Sequence, residues 1–349
     1  MSVEAIETPA AVVDADRLEG NLTRWQEYCD RHELANRPHV KTHKCAEIAR
    51  RQLELGAVGI TCQKLSEAET MADAGCDDIL VSFNIVGPAK LERLRRLLER
   101  VAVTVSVDDA ALLAGLAGAA AGASRELGVL VDCDTGLGRT GVSDPEAAAE
   151  LAAAVQAHDG LRFDGFLTFP VPEGARSFLE AAVASARQHG LDPVVVSAGG
   201  TPSMWESGML RPVVTEYRAG TYAFHDRSSV AAGAASLDDL ALLVHATVVS
   251  RPARDRAVLD AGSKALSSDR GPDARFGLVL EAPDSAIARL SEEHAWVELA
   301  DGDELQLGQR VRVVPNHACV VVNLFDELQV TRNGNLETTW RVAARGRSQ

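Results

Sequence analysis

Lys41 lies in the segment Arg37-Pro-His-Val-Lys-Thr-His-Lys44, directly after a short run that is predicted to be extended. A lysine that is screened from water loses its proton more easily and can then attack an aldehyde as an amine nucleophile. The competing interpretation is an ordinary solvated lysine on a loop, and the flanking His39 and His43 shift the balance only modestly. Lys41 and His39 are therefore candidate catalytic residues.

Two glycine-containing loops follow apolar runs later in the chain, Ser197-Ala-Gly-Gly-Thr201 and Arg218-Ala-Gly-Thr-Tyr222. Backbone N–H groups of small residues can approach an anion closely, and late-strand loops of a (β/α)8 barrel commonly hold phosphate. A single glycine pair after a strand is usually no more than a turn. Because two such loops occur, the sequence indicates a phosphate-bearing cofactor.

His317 and Cys319 are separated by one residue in a stretch that is predicted to be an extended strand. Alternate residues of a strand face the same side, and an imidazole with a thiolate suits a soft divalent metal. A buried histidine beside a buried cysteine, with no metal, is the competing interpretation. A charged cluster formed by Asp260-Ala-Gly-Ser-Lys264 and Asp269 fits either a solvated turn or the wall of a cleft.

Length, charge and cysteine usage exclude several classes of protein. The 349 residues exceed the roughly 250 to 300 that one core usually serves, so two unequal domains are expected. A net charge of -15 disfavours nucleic acid and anionic membranes as partners, because both require Lys and Arg at phosphates. The sequence shows neither a membrane span nor a signal peptide, so a cytoplasmic protein is expected, with its six cysteines as free thiols.

Strand-like apolar runs alternate with helical patterns over the first two-thirds of the chain. Predicted strands precede Lys41 and occupy 58–62, 78–82, 102–106, 128–132, 163–168, 193–197 and 216–220; predicted helices occupy 16–32, 66–74, 90–100, 109–121, 145–158 and 175–189. About eight strand–helix units, with strands apolar enough to be buried on both faces, predict an α/β fold of the parallel (β/α)8 TIM-barrel type.

The hydrophobic period changes near residue 240, where antiparallel strands are predicted at 244–250, 256–260, 277–280, 294–298, 310–314 and 319–323. The predicted domains are therefore a barrel at 9–237 and a β domain at 238–349, joined by residues 1–8. Reactive groups of a barrel enzyme lie at the carboxyl ends of its strands. The residues there are His39, Lys41, Gln63, Asp132, Asp134, Arg139, Ser197, Gly199, Gly200, Thr201, Arg218, Gly220, Thr221 and Tyr222.

Taken together, these segments resemble the fold-type III pyridoxal 5'-phosphate (PLP) enzymes, in the D-threonine aldolase and D-serine dehydratase group with an alanine-racemase-like barrel. The resemblance covers nearly the whole chain. Its motifs are TPAAVVD at 8–14, PHVKTHK at 38–44, DCDTGLGRTG at 132–141, SAGGTPS at 197–203, EYRAGTY at 216–222, DAGSK at 260–264 and PNHAC at 315–319.

The resemblance implies that Lys41 carries PLP covalently, that Arg139 faces the pyridine nitrogen, and that His317 and Cys319 bind a divalent metal, zinc or manganese. It implies cofactor contacts for Gln63, Ser197, Gly199, Gly200, Thr201, Gly220, Thr221 and Tyr222, and a homodimer. An arginine cannot leave a proton on the pyridine ring, so the ring withdraws electrons weakly. A metal acting on the 3-hydroxyl of a D-amino acid would then assist.

Two reactions fit these residues, namely dehydration with deamination of a D-serine or D-threonine type of substrate, and retro-aldol cleavage to glycine and an aldehyde. The group's dehydratases tend to carry His-x-Cys and its aldolases His-x-Asp, so His317 and Cys319 favour dehydration. One departure is Phe169, which replaces a polar ring that relatives usually have after the sixth strand. Phenylalanine cannot transfer a proton, so the resemblance supports the family more strongly than it supports one substrate or reaction.

Two other functions are less compatible with the sequence. A racemase of this fold needs a second base, typically a tyrosine of the β domain, and residues 236–349 contain no tyrosine. A non-catalytic PLP-binding protein is usually a lone barrel, whereas this chain carries a large β domain with His317 and Cys319. The main prediction is therefore a PLP- and metal-dependent lyase.

Overall fold

A computed structural model describes residues 2–271 and 273–349. Residue 1, which the predicted β domain includes, lies outside the described residues. The chain divides into two compact units, one of Met1–Arg24, Thr42–Glu47 and Thr221–Gly346 and the other of Trp25–Lys41, Ile48–Gly220 and Arg347–Gln349. We call the second the barrel unit and the first the β unit.

The strands are β1 Ala10–Asp14, β2 Ala35–Asn36, β3 Ile60–Cys62, β4 Asp78–Val81, β5 Ala102–Val107, β6 Leu127–Cys133, β7 Leu161–Thr168, β8 Val195–Gly199, β9 Glu216–Arg218, β10 Leu242–Ala253, β11 Arg256–Leu259, β12 Leu278–Val279, β13 Ala286–Leu290, β14 Ala295–Glu298, β15 Arg310–Val314, β16 Glu327–Arg332 and β17 Asn335–Arg341. The α-helices are α1 Ala15–Arg31, α2 Ala46–Glu54, α3 Leu65–Asp73, α4 Pro88–Leu98, α5 Leu113–Ala120, α6 Pro145–Gln156, α7 Ala175–Gln188, α8 Arg227–Ala231, α9 Ser263–Leu266 and α10 Ala318–Val322. Short 3-10 helices occupy Val3–Ala5, Ala110–Leu112, Thr201–Leu210, Thr221–Ala223 and Leu237–Asp239.

Eight parallel strands form the sheet of the barrel unit, in the order β2-β9-β8-β7-β6-β5-β4-β3. The two ends of this order meet through a parallel bridge between His39 and Thr61, so the sheet closes on itself. Leu80, Leu130 and Leu167 form a buried cluster, because parallel strands covered on both faces carry apolar residues in both directions. The predicted TIM-type barrel is confirmed.

Helix starts in the barrel unit follow local sequence signals. Asp144 caps α6 by accepting a hydrogen bond from the amide of Ala147, and Pro145 occupies the first turn, where a missing N–H costs nothing. At α3, Glu67 accepts the amides of Gln63 and Lys64. The Glu67 contact fixes Gln63 at the carboxyl end of β3.

The β unit is built on a nine-stranded sheet in the order β13-β14-β11-β10-β1-β16-β17, with β15 pairing β10 and β12. Every pairing is antiparallel except that of β1 with β16. β1 hydrogen-bonds to β10, so residues 9–24 group with the β unit although the predicted barrel domain began at residue 9.

One predicted strand of the β unit is wrong. Residues 319–323 were expected to be extended, but Ala318–Val322 is a short helix. Three consecutive valines favour a strand intrinsically, yet tertiary hydrogen bonds at the helix start override that preference. No helix among the described residues is long and apolar enough to cross a bilayer, and none of the six cysteines, all of which are described, takes part in a disulfide.

Candidate active site

Lys41 and Gln63 meet at the carboxyl ends of neighbouring strands of the barrel unit. The bridge that closes the barrel extends the segment before Lys41 alongside β3, since the amide of Val40 donates to the carbonyl of Thr61 at 2.9 Å. Gln63 follows β3 directly, and its Oε1 accepts a hydrogen bond from Lys41 Nζ at 3.3 Å. The half-buried Lys41 amine is therefore held at the end of the barrel where reactive groups are expected.

His39 is buried beside this pair, and its ring is neutral. Its Nε2 lies 3.2 Å from Gln63 Oε1, while Gln63 Nε2 donates to the carbonyl of Ser82 at 2.9 Å. Because Gln63 presents an acceptor, His39 Nε2 carries the proton. Burial lowers the pKa of His39 well below its usual range, and the charges of Lys41 and Arg218 lower it further. In this arrangement His39 orients Gln63, and its direct part in catalysis stays a prediction.

The loop after β8 has the small, buried residues that close approach to a cofactor requires. Gly199, Gly200 and Thr201 are buried, and Gly200 has φ +125, which favours glycine. A Cβ at Gly200 would lie 3.1 Å from the Phe169 ring, and one at Gly199 would lie 3.0 Å from the Arg218 carbonyl. Tyr217 donates to the carbonyl of Gly200 at 2.9 Å and fixes the loop. This cradle fits a phosphate-bearing cofactor attached to Lys41.

The loop after β9 begins in the barrel unit with the buried Gly220 and continues in the β unit with Thr221 and Tyr222. Tyr222 is buried, and Thr221 Oγ1 lies 3.7 Å from Cys319 Sγ within the β unit. The predicted contacts of these three residues to the cofactor stay a prediction.

Arg218, which the sequence placed at a predicted strand end without a specific role, is a buried cation at the end of β9. It is 5% exposed, and it donates to Ser197 Oγ at 2.5 Å and to the carbonyl of Thr168 at 2.9 Å. Ser197 Oγ in turn donates to Glu216 Oε1 at 2.5 Å. The only proton of the Ser197 hydroxyl is thus directed to Glu216, while a cofactor contact through that hydroxyl stays a prediction.

Arg139 lies exposed in the loop after β6, with its guanidinium 5.4 Å from the centre of the Phe169 ring. Asp132, at the end of the same strand, accepts a hydrogen bond from Thr140 Oγ1 at 2.9 Å. Burial raises the pKa of Asp132 to about 6, against the effects of Thr140 and of the Arg218 charge. The structure thus offers two arginines for the cofactor ring, of which Arg218 is the buried one.

His317 and Cys319 come together at the start of α10, in the β unit. His317 precedes the helix with extended backbone at φ -142, and Cys319 is the second residue of the helix. A hydrogen bond to Cys319 raises the pKa of His317 to about 9, against the effect of burial. Asp269 Oδ2 lies 3.5 Å from His317 Nδ1, and Thr42 Oγ1 lies 3.2 Å from Cys319 Sγ. The expected pair forms, although on a helix start and not on a strand.

An imidazole and a thiol side by side are a donor set that soft divalent metals accept. Asp269 on Nδ1 would orient the His317 ring toward a metal at its other nitrogen, as carboxylates commonly do for metal-binding histidines. In the described part of the chain, no group of three or more His, Cys, Asp or Glu side chains is arranged around one point. His317 and Cys319 are thus the two donors of this site whose chemistry suits a soft divalent metal.

The remaining residues of the charged cluster have separate structural roles. Asp260 accepts hydrogen bonds from the amide of Thr247 and the hydroxyl of Thr8, both at 2.7 Å, so it joins elements of the β unit. Lys264 is exposed and pairs with Glu293. Only Asp269 of this cluster reaches the His317 site.

Comparison with known proteins matches both halves of the chain to family models. Residues 13–228 match the alanine racemase N-terminal domain, and residues 241–331 match a putative serine dehydratase domain. The two matches meet close to the predicted change of period near residue 240.

Several similar proteins align along nearly the full chain. A D-threonine aldolase from Arthrobacter sp is 40% identical over 99% of this chain and 94% of its own length. A D-threo-3-hydroxyaspartate dehydratase from Delftia sp. (strain HT23) is 33% identical over 96% of this chain and 97% of its own. The crystal structure of a D-threonine aldolase from Filomicrobium marinum superposes with a TM-score of 0.91 at 34% identity, covering 100% of this chain and 98% of that one.

Proposed function

The chain belongs to the alanine-racemase-like PLP enzymes of fold type III, in the group of D-threonine aldolases and D-serine dehydratases, and we propose that it is a PLP- and divalent-metal-dependent lyase acting on D-3-hydroxy amino acids. The observation that carries this proposal is the half-buried Lys41 amine, held by Gln63 at the carboxyl end of the barrel, where β8 also ends in a buried glycine loop. PLP would supply electron withdrawal at the substrate Cα when bound, and a divalent metal held by this chain would supply Lewis-acid assistance at the 3-hydroxyl.

Residues of this chain would bind and orient these groups. Lys41 would hold the cofactor covalently, with the loop of Gly199, Gly200 and Thr201 at its phosphate. Arg218 is a stronger candidate than Arg139 for the arginine at the pyridine nitrogen, because it is buried and its charge acts on His39. His317 and Cys319 would hold zinc or manganese.

Dehydration is the reaction that we propose first. Solved variants of D-threo-3-hydroxyaspartate dehydratase replace a histidine and, two positions later, a cysteine, and the cysteine variant is in a metal-free form. This spacing equals that of His317 and Cys319. In dehydration Lys41 Nζ would accept the proton from Cα, and Gln63 Oε1 would orient that nitrogen. Phe169, 39% exposed and unable to carry a proton, leaves Lys41 as the base in this scheme.

Retro-aldol cleavage is the second candidate, and the 40% identity with an aldolase favours it.

The purified protein, loaded with PLP and Mn²⁺ or Zn²⁺, would be incubated with D-serine, D-threonine and D-threo-3-hydroxyaspartate. Keto acid with ammonia is the expected product, whereas glycine with an aldehyde would establish cleavage instead. Absence of both sets of products would contradict the proposed function. Full turnover after chelation and dialysis would contradict the proposed metal requirement.

A further inference from the structure

A line of four hydrogen-bonded side chains runs through the barrel unit and includes a carboxylate with no assigned role. Arg37 Nε donates to Glu216 Oε2 at 2.6 Å, and Ser197 Oγ donates to Glu216 Oε1 at 2.5 Å. Arg218 Nη1 donates to Ser197 Oγ at 2.5 Å. Arg37 and Glu216 line a cavity at the amino-terminal end of the barrel, whereas Arg218 ends β9 at the other side. The line therefore connects the two ends of the barrel.

The direction of each hydrogen bond is fixed by the groups involved. The two arginines can only donate, and the Glu216 carboxylate can only accept. The Ser197 hydroxyl has one proton, so it must donate to Glu216 while it accepts from Arg218. Ser197 is fully buried and the Glu216 side chain is 4% exposed, so bulk water cannot replace a lost partner. Removing the carboxylate would take away the acceptor of Arg37 Nε and of the Ser197 hydroxyl, which is costly at a buried position, while Arg37 would keep Asp78 and Arg218 would keep the Thr168 carbonyl.

The charges that act on Arg218 come from several strands. Burial lowers the pKa of Arg218 to about 10, while the charges of Glu216, Asp132 and Tyr217 raise it and that of Arg37 lowers it. The positive charges of Lys41 and Arg218 in turn lower the pKa of His39, whose ring is neutral. Of these charged groups, Glu216 is also linked to Arg218 by hydrogen bonds through the Ser197 hydroxyl. We call this path from Glu216 through Ser197 to Arg218 the relay.

We propose that Glu216 is a positioning residue for the cofactor end of the barrel: acting through the Ser197 hydroxyl, its carboxylate fixes the place and charge of the Arg218 side chain at the carboxyl end of the barrel, the end that also carries His39 and Lys41. This inference rests on the proposed function, because it assigns Arg218 a part in holding the cofactor. A purely structural ion pair between Arg37 and Glu216 is the alternative.

The test compares Glu216→Gln with Asp78→Asn in the PLP-loaded protein. Asp78 is the other carboxylate on Arg37, at 2.6 Å, but its side chain is 43% exposed and it lies outside the relay to Arg218. Glu216→Gln is expected to lower kcat roughly 10- to 100-fold, because the relay loses its charged acceptor and Arg218 its counter-charge, and the Thr168 carbonyl alone then positions Arg218 less firmly. It should also lower the pH midpoint of the bound cofactor's absorption band by about half a unit or more, since removal of a negative charge disfavours protonation nearby. Asp78→Asn should leave both quantities unchanged.

Ser197→Ala gives a second route, because it breaks the relay while the Arg37–Glu216 pair stays intact. It should lower kcat as Glu216→Gln does, and the double variant should be little worse than either single one, because both act on one relay. PLP affinity, measured by fluorescence titration of the cofactor-free protein, should fall in both variants and not in Asp78→Asn.

The outcomes separate this inference from the proposed function. Suppose that the wild-type protein binds PLP and turns over. If Glu216→Gln and Ser197→Ala then keep the wild-type kcat, PLP affinity and pH midpoint of the absorption band, the role of Glu216 is overturned and the proposed function stands. Equal losses in Asp78→Asn would also overturn it, because they would point to the structural ion pair. A wild-type protein that forms no absorption band with PLP would overturn the proposed function as well.

Discussion

The two candidate sites of this protein are held in different ways. At the barrel end, side chains hold side chains: Gln63 contacts both Lys41 and His39, and Ser197 links Arg218 to Glu216. At His317 and Cys319, where Asp269 and Thr42 contact the two side chains, a carboxylate also holds the backbone between them. The buried Asp226 accepts the amide of Ala318, the residue between the two metal candidates, at 2.9 Å.

This difference follows from what each site must keep in place. Asp226 caps α8 with one carboxylate oxygen, through the amide and hydroxyl of Ser229, and uses the other for Ala318. One buried carboxylate therefore sets the direction of the helix start that presents His317 and Cys319. The barrel end already has a rigid closed sheet, so side-chain contacts suffice to position reactive groups there.

Replacing Lys41 should have the largest effect, because it removes the only covalent attachment that we assign to the cofactor. Lys41→Ala is expected to abolish turnover and the absorption band of covalently bound PLP. The measurement is an absorption spectrum after loading and desalting, together with the product assay.

Lys264→Ala is the matched control, since Lys264 is exposed and contacts only Glu293 among the partners described for it. Its spectrum and turnover should equal those of wild type. A Lys41→Ala protein that retains a desalting-resistant band would show that another lysine carries the cofactor.

Replacing Asp226 should have an intermediate effect that is confined to the metal. An asparagine has a single acceptor oxygen, so Asp226→Asn cannot accept both Ser229 and Ala318 as the carboxylate does. We expect the affinity for Zn²⁺ or Mn²⁺ to fall roughly 10- to 100-fold, as it commonly does when outer partners of metal ligands are removed. Competition with a coloured chelator measures it.

Asp239→Asn provides the comparison, because Asp239 also accepts the amide and hydroxyl of a serine at a helix start in the β unit. It should lower stability without changing metal affinity. Equal weakening in both variants would mean that general loss of stability, and not the orientation of Ala318, controls metal binding.

The sequence was most informative where burial dictates residue type. The barrel strands could be located because each is apolar on both faces, and Lys41 could be placed at a strand end because of the segment around it. In contrast, the partners of β1 are β10 and β16, both more than two hundred residues away, and nothing in the local pattern of residues 10–14 indicates them. β1 therefore could not be assigned to its sheet.

The same limit applies within the sites. Arg218 was visible after a strand, but Ser197, Glu216 and Arg37 reach each other only through folding, so the relay could not be predicted. At Ala318–Val322 the valines indicated a strand, and the hydrogen bond from Ala318 to Asp226 that favours the helix comes from a residue 92 positions away.

The smallest expected effect is on the free energy of unfolding, and it comes from the Asp132 carboxylate at the barrel end. Burial raises the pKa of Asp132 to about 6, above its unfolded value near 3.8, so its contribution favours folding at low pH and is lost as pH rises through about 6. Asp132→Asn should therefore stabilise the cofactor-free protein at pH 7 by about 1 to 2 kcal/mol after allowance for partial exposure, with no gain below about pH 4.

Asp134, two residues along the chain, should respond in the opposite direction. Its pKa is lowered by hydrogen bonds from the amides of Gly136, Gly138 and Leu137, so its contribution is present above the unfolded pKa and is lost as pH falls. Denaturant unfolding at pH 4, 5.5 and 7 would compare Asp132→Asn with Asp134→Asn. A shift of the same sign in both variants would show that removing charge alone, and not the burial of Asp132, determines the change, because burial and backbone hydrogen bonds predict opposite signs.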